Sequence, residues 1–194
     1  MTRPSSGVKV AALALTAAGA LLFGRALYLH AKGALAHALI RRAWAETVRT
    51  GAPVRPWPWA DTVPIARLRI PAAGVDAVVL EGASPRVLAF GPARMMNAAE
   101  PGQPGNVVLA GHRTTDFLPL QRVGNDDAVS LEWLGPDRRL RSRRYRVDGL
   151  EVVDPRDTRA LQQTLEDRLT LITCYPFGYG ARSPKRYVVR ALPV

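Results

Sequence analysis

The chain has 194 residues, enough for one globular domain with a sizeable core and an additional segment. It contains 16 prolines and 16 glycines, and its formal net charge is +11. A charge of this sign suits nucleic-acid binding, but the aromatic residues do not alternate with the basic ones as a stacking platform requires, and no nucleic-acid-binding motif is present. We therefore expect no nucleic-acid partner and a turn-rich, mostly β domain, whose basic surface is solvated or faces anionic lipid or polymer.

The N-terminal region contains an apolar run that predicts a membrane anchor. After a short polar tail (residues 1–9), the segment Val10–Leu29 contains one charge, Arg25. Because a bilayer requires about 20 residues, this segment can span it if the Arg25 side chain reaches the headgroups. A cleaved signal peptide is the alternative. We favour an uncleaved, single-pass anchor because no small-x-small cleavage site precedes the next helical stretch. Basic residues flank both ends and leave the orientation open.

Residues 30–60 are predicted to form a helix followed by a linker. Apolar residues recur at helical spacing over residues 33–49. Three prolines between positions 53 and 58 end this helix. Trp57 and Trp59 lie among these prolines, where they either anchor the linker at the membrane interface or pack onto the following domain.

Residues 61–194 are predicted to form one domain of short strands separated by turns. A short helix is expected to open at Ser84-Pro85. Seven segments have strand character: Val63–Ile70, Val75–Leu80, Asn106–Ala110, Ala128–Trp133, Tyr145–Val153, Leu169–Thr173 and Arg186–Leu192.

The chain contains a single cysteine, Cys174, which is the first candidate for chemistry. One cysteine forms neither an internal disulfide framework nor a multi-cysteine metal site. It follows the apolar run LTLIT and precedes a loop signature, YPFG, so it lies at the end of a strand, where a side chain can face a groove. A thiol needs a neighbouring base or cation to act as a nucleophile, because the thiolate is the reactive form. A small buried apolar residue is the alternative interpretation.

Two further residues are candidate partners of this thiol. His112 is the only histidine after residue 37 and also follows an apolar strand. Arg186 begins the last predicted strand. If that strand pairs with the strand of Cys174, its guanidinium can stabilise a thiolate or an oxyanion. Arg182 and Arg190 compete with Arg186 for this role. The spacing between Cys174 and His112 in the sequence is by itself weak evidence that the two residues act together.

Three segments taken together resemble the sortase family. They are NVVLAGHR, which contains His112; LTLITCYP, which contains Cys174; and KRYVVRA, which contains Arg186. The order of the three residues and the interval of 12 residues between Cys174 and Arg186 are similar to the family pattern. The segment ARLRIPAAGVDAVVLEG resembles its first hairpin, and the similarity covers residues 55–194.

The N-terminal half narrows the resemblance. The single span and the segment PWPWADTVPIARL are similar to the sortase class of Gram-negative bacteria (marine proteobacterial type), which pairs with one dedicated substrate. Met95 and Met96 depart from the pattern, since many relatives have smaller residues there. They could reshape one wall of the groove, so the substrate preference stays open.

The resemblance implies a mostly β fold: a closed eight-stranded sortase-type β-barrel with short helices, preceded by an N-terminal membrane-anchor helix. It implies a cysteine transpeptidase of the hydrolase class that cleaves an LPxTG-like C-terminal sorting signal of a secreted protein. Cys174 would form a thioacyl intermediate, His112 would transfer protons to and from the amines, and Arg186 would hold the substrate or the oxyanion. Thr173 and Tyr175 are expected to contribute to substrate binding or to the oxyanion site.

The implied partners are the secreted substrate protein, an amine acceptor and the membrane. No metal or cofactor is expected in the chemistry, and calcium activation is not predicted. The implied location is the inner membrane, with the catalytic domain (residues 61–194) in the periplasm. Two alternatives stay open: another Cys/His acyl-transfer enzyme, such as a papain-like protease or an L,D-transpeptidase, and a non-catalytic, membrane-tethered basic scaffold.

Overall fold

The computed structural model describes residues 6–178, 180 and 183–194. The chain divides into two compact units, one ending at Ala38 and one running from Leu39 to Val194. The first unit is helical, and the second contains all the β-structure.

Helix α1 (Ser6–Thr50) is a single element of 45 residues. The sequence predicted an anchor ending at Leu29 and a separate helix over 33–49, but the helix continues through both. Its segment lacks proline and is rich in alanine and leucine, so nothing interrupts it. One stretch of α1 is long and apolar enough to cross a membrane. It is therefore a candidate anchor, and the boundaries 10–29 stay a prediction.

The last turns of α1 belong to the second unit and pack there through an apolar face. Ile40, Ala43 and Trp44 are buried. Trp57 of the linker packs beside Ile40, with its ring 5.1 Å from that of Phe90. Trp59, in contrast, is 82% exposed. Packing onto the domain is thus confirmed for Trp57 alone.

Eight strands form a closed barrel in the order β1-β2-β3-β4-β7-β8-β6-β5. This confirms the predicted fold class, and a short α-helix, α2 (Pro85–Leu88), lies between β2 and β3. Seven strands match predicted segments, while β3 was not foreseen. The strands are β1 (Pro64–Ile70), β2 (Val75–Glu81), β3 (Ala93–Arg94), β4 (Asn106–Ala110), β5 (Ala128–Leu134), β6 (Leu140–Val153), β7 (Arg168–Tyr175) and β8 (Lys185–Pro193).

Three adjacent strands, β4, β7 and β8, determine where the candidate residues lie. Leu109, Leu171 and Val189 of these strands are fully buried in the core inside the barrel. Because side chains alternate along a strand, the residues between them face outward. On β7 this outward set ends with Cys174.

Candidate active site

Cys174 and His112 are brought together by the parallel pairing of β4 and β7. Ala110 is opposite Ile172, and the backbone N–H of Gly111 donates to the Ile172 carbonyl at 3.2 Å. His112 and Cys174 each lie two residues beyond this matched pair, so they leave neighbouring strands at the same level and on the same outward face. His112 is exposed and Cys174 is partly exposed.

The backbone before His112 requires a glycine. A Cβ atom at Gly111 would lie only 2.7 Å from the ring of Phe117, which is fully buried. The carbonyl of His112 accepts hydrogen bonds from the N–H groups of Thr115 at 3.3 Å and Phe117 at 3.1 Å. The close packing of Phe117 and this turn together fix the direction in which His112 leaves β4.

Thr173 links the two strands from the opposite side. Its side chain is only 3% exposed, and its hydroxyl donates to the carbonyl of Gly111 at 2.7 Å. The side chain therefore lies on the core-facing side of β7 and is not available to a substrate in this structure. Thr173 can therefore contribute to substrate binding or to the oxyanion site only through its backbone, and this role stays a prediction.

Arg186 lies directly across from Cys174 in the antiparallel pairing of β7 and β8. The prediction that the two strands are neighbours is thus confirmed. The Arg186 guanidinium donates through Nη1 to the carbonyls of Ser183 at 3.3 Å and Lys185 at 3.0 Å.

The competing arginines are placed differently. Arg190 lies opposite Thr170, and its guanidinium forms an ion pair with Glu151 at 2.5 Å. Four residues along a strand separate it from Arg186 by about 13 Å. Arg182 lies outside the described residues. Of the two described arginines, Arg186 is therefore the one on the same rung as the thiol.

Tyr175 belongs to an aromatic cluster beside the site. Its ring centroid is 5.9 Å from that of Phe177 and 6.2 Å from that of Tyr187. Phe177 and Tyr187 pack against the barrel core, and burial raises the pKa of Tyr187 above its ordinary value. The contacts of the Tyr175 ring are with this cluster, and its role in substrate binding stays a prediction.

Arg113 is a residue that the sequence analysis did not single out. It follows His112 directly, and only 8% of it is exposed. Its guanidinium donates to the carbonyl of Pro176 at 2.7 Å and to the carbonyl of Gly180. Both acceptors belong to the β7–β8 loop (residues 176–184), which follows Cys174. The adjacent histidine is the only sequence signal for Arg113, and it does not reveal burial.

An apolar cavity of about 270 Å³ lies farther along the outward face of β4. Val108 contributes from the strand, Met95 and Ala98 line the cavity from the β3–β4 segment, and Leu161 lines it from the β6–β7 segment. A second cavity of about 590 Å³ shares Met95 and Asn97 with the first. The two cavities are therefore neighbours that share these lining residues.

Polar side chains hold the β6–β7 segment against β4. The amide nitrogen of Asn106 donates to the carbonyls of Ala160 at 3.0 Å and Gln162 at 3.1 Å. The buried hydroxyl of Thr170 donates in turn to Asn106 Oδ1 at 2.7 Å. Gln163 also donates across the gap to the Asn97 carbonyl at 3.0 Å. These hydrogen bonds thus hold the β6–β7 segment, which carries Leu161, against β4.

The arrangement places a thiol, an imidazole and a guanidinium on one face. A thiol beside an imidazole can form and resolve a thioacyl intermediate, and a guanidinium can stabilise the oxyanion of acyl transfer. Among the described residues, no group of three or more His, Cys, Asp or Glu side chains is placed to hold a metal ion.

Comparison with known proteins places the barrel among characterised relatives. A family model described as "Sortase domain" matches residues 68–194. A protein of Bacillus subtilis (strain 168), "Sortase D", is 29% identical over 123 residues, covering 63% of this chain and 60% of that protein. The matched region therefore spans less than two thirds of the length of this relative.

Two solved structures extend the similarity to the fold. The Clostridium perfringens Sortase D5 transpeptidase superimposes with a TM-score of 0.60 at 29% identity, covering 68% of this chain and 79% of that one. Sortase C-1 of Actinomyces oris gives a TM-score of 0.60 at 30% identity, covering 68% and 74%. The similarity thus reaches both the amino-acid sequence and the barrel.

Proposed function

The chain belongs to the sortase family, and from this premise we propose that it is a membrane-anchored cysteine transpeptidase, with Cys174 as nucleophile, His112 as acid/base and Arg186 as electrostatic partner. The observation that carries the proposal is the register of three adjacent strands. Ala110 pairs with Ile172 just before His112 and Cys174, and Cys174 pairs with Arg186. A thiol, an imidazole and a guanidinium thus share one end of one outward face.

The reaction proceeds in two acyl-transfer steps. The thiolate of Cys174 attacks the carbonyl carbon of the threonine of the signal, and the C–N bond to the following residue breaks as His112 gives a proton to the leaving amine. An acceptor amine then attacks the thioacyl carbon, His112 takes its proton, and the thiolate leaves. Arg186 donates to the oxyanion or to a substrate carbonyl. Both bonds from Arg186 to the described residues start at Nη1, so its Nε and Nη2 groups can serve this purpose.

The apolar cavity supports an LPxTG-like signal as substrate. Val108 precedes His112 by four residues on the same face, which corresponds to about 13 Å along a strand. An extended peptide covers this distance in about four residues. When the threonine carbonyl lies at Cys174, the leucine or proline at the start of the signal therefore reaches the cavity between Met95 and Leu161.

The proposed partners follow from the same reaction. They are a secreted protein with a C-terminal sorting signal and an acceptor that carries an amine. The chain is proposed to belong to the class from Gram-negative bacteria, on its PWPWADTVPIARL segment and the apolar helix α1. It would lie in the inner membrane, anchored by Val10–Leu29, with residues 61–194 in the periplasm, where it meets exported substrates.

Mass spectrometry of the full chain in detergent tests the function. Incubation with a panel of LPxTG-like peptides should yield a covalent acyl adduct on Cys174, which an added amine should discharge. Cys174→Ala should give no adduct while retaining the fold, and His112→Ala should be impaired both in forming the adduct and in discharging it. An inert thiol with every peptide would support the membrane-tethered scaffold instead. Turnover by Cys174→Ala would reject Cys174 as the nucleophile.

A further inference from the structure

The loop that follows Cys174 is held by the residue that follows His112. The Arg113 guanidinium donates to the Pro176 carbonyl at 2.7 Å and also to the Gly180 carbonyl. The two acceptors lie 63 and 67 residues along the chain from Arg113. One side chain therefore connects the segments that follow β4 and β7, on each side of the site.

The burial of Arg113 gives these bonds their importance. Only 8% of the residue is exposed, and a buried guanidinium is tolerated only when its donors are satisfied. The planar fork of arginine can bind two carbonyls at once, which the single ammonium of lysine does less well. Burial of the Arg113 guanidinium thus carries a desolvation cost, and its described hydrogen bonds restrain the β7–β8 loop.

The hydrogen bonds of the neighbouring residues restrain the barrel side of the site and the far end of the loop. Thr173 ties β7 to the Gly111 carbonyl at 2.7 Å. The Ser183 hydroxyl ties the far end of the loop to the Tyr175 carbonyl at 3.2 Å. Arg113 reaches the part of the loop between these two points.

We propose that Arg113 is a positioning residue for the transfer reaction: it clamps the β7–β8 loop to the segment that carries His112, so that the thiol and the imidazole keep one separation. This inference rests on the proposed function. It predicts that loss of Arg113 lowers the rate of the chemical steps more than it lowers substrate affinity. The apolar cavity at Val108, Met95 and Leu161 lies along β4 on the other side of His112, so peptide recognition there is retained.

The experiment compares Arg113→Ala and Arg113→Lys with Arg122→Ala in the full chain in detergent. Arg122 is a suitable control because its guanidinium also donates to a backbone carbonyl, that of Ala73 in the turn between β1 and β2, rather than to the β7–β8 loop. The readouts are kcat and KM for a sorting peptide that the wild type turns over, and hydrogen–deuterium exchange of residues 176–184.

Arg113→Ala should lower kcat by about 10- to 100-fold, because small displacements of reacting groups have effects of this size. Its KM should change by less than about threefold, since uniform binding is retained. Exchange in the loop should accelerate. Arg113→Lys should recover part of kcat, because it keeps the charge and can reach one carbonyl. Arg122→Ala should leave kcat within about twofold, as expected for a residue whose described bond is to Ala73 and not to the loop after Cys174.

Three outcomes would overturn the proposal: unchanged exchange of the loop in Arg113→Ala, a loss confined to KM, or an equal loss of kcat in Arg122→Ala. A variant that is globally unfolded is recognised by faster exchange throughout the barrel, and Arg113→Lys then decides the matter. If the wild type turns over no sorting peptide, the proposed function fails by itself. The contrast in loop exchange between the Arg113 and Arg122 variants still supports or refutes the clamp.

Discussion

Replacement of Thr173 by valine tests whether the hydroxyl under the site supports both stability and activity. Thr173 is 3% exposed, and its hydroxyl donates to the Gly111 carbonyl at 2.7 Å. Valine has nearly the same shape as threonine but lacks the hydroxyl. The buried Gly111 carbonyl therefore loses the hydrogen bond from residue 173. The expected loss of unfolding free energy is about 1–3 kcal/mol. For a domain of this size, each kcal/mol lowers Tm by about 2–4 °C.

The assay is urea or thermal unfolding of the full chain in detergent, followed by peptide turnover. Thr173→Ser is the matched control, since it keeps the hydroxyl and loses one buried methyl group, worth about 0.8 kcal/mol. Valine should lower kcat more than serine, because the Gly111 carbonyl precedes His112 directly. If valine is more stable than serine and equally active, the methyl contact matters more than the hydrogen bond, and the reasoning is refuted.

Three further predictions concern the site and the anchor. Arg186→Lys should lower turnover by about 10²-fold or more if the guanidinium donates to the oxyanion. Arg190→Lys and Arg182→Ala should reduce turnover only mildly. If Arg186→Lys is tolerated and Arg182→Ala abolishes turnover, the electrostatic role belongs to Arg182. Met95→Ala should join the two cavities. It should raise kcat/KM for a peptide whose signal begins with phenylalanine, relative to one whose signal begins with leucine, by about 3- to 10-fold. The neighbouring Met96, which is 69% exposed and lines only the larger cavity, is the control, and an equal change in Met96→Ala would refute this. The full chain should stay in the membrane fraction after an alkaline wash, and release of a mature form that begins beyond residue 20 would contradict the anchor.

Much of the barrel could be predicted because its strands alternate or form apolar runs between turns. Strand β3, Ala93–Arg94, could not, because two residues show no periodicity and its strand character comes only from pairing with β2 and β4. The two predicted helices in α1 were separated on changes of composition, but no proline lies between them. A helix ends where its backbone is interrupted, and hydrophobicity alone does not interrupt it.

The candidate site could be predicted in part. His112, Cys174 and Arg186 were found because each stands at a strand end, in an order that resembles a known family. The core-facing side chain of Thr173 could also have been predicted, because residues two apart in LTLIT share a face and Leu169 and Leu171 are core residues. Arg113 and Asn106 could not be predicted as supports of the site, since their acceptors lie more than 50 residues away along the chain.

The parallel pairing of β4 and β7 also has a consequence for the order of events during folding. Gly111 and Thr173 are 62 residues apart, so the site forms only after a long chain segment has been closed. Pairings of such separation form late and slowly compared with hairpins such as β1–β2. During synthesis and early folding, Cys174 is thus a solitary thiol without its histidine. Under the proposed mechanism, the thiol therefore gains its acid/base partner only when β4 and β7 pair.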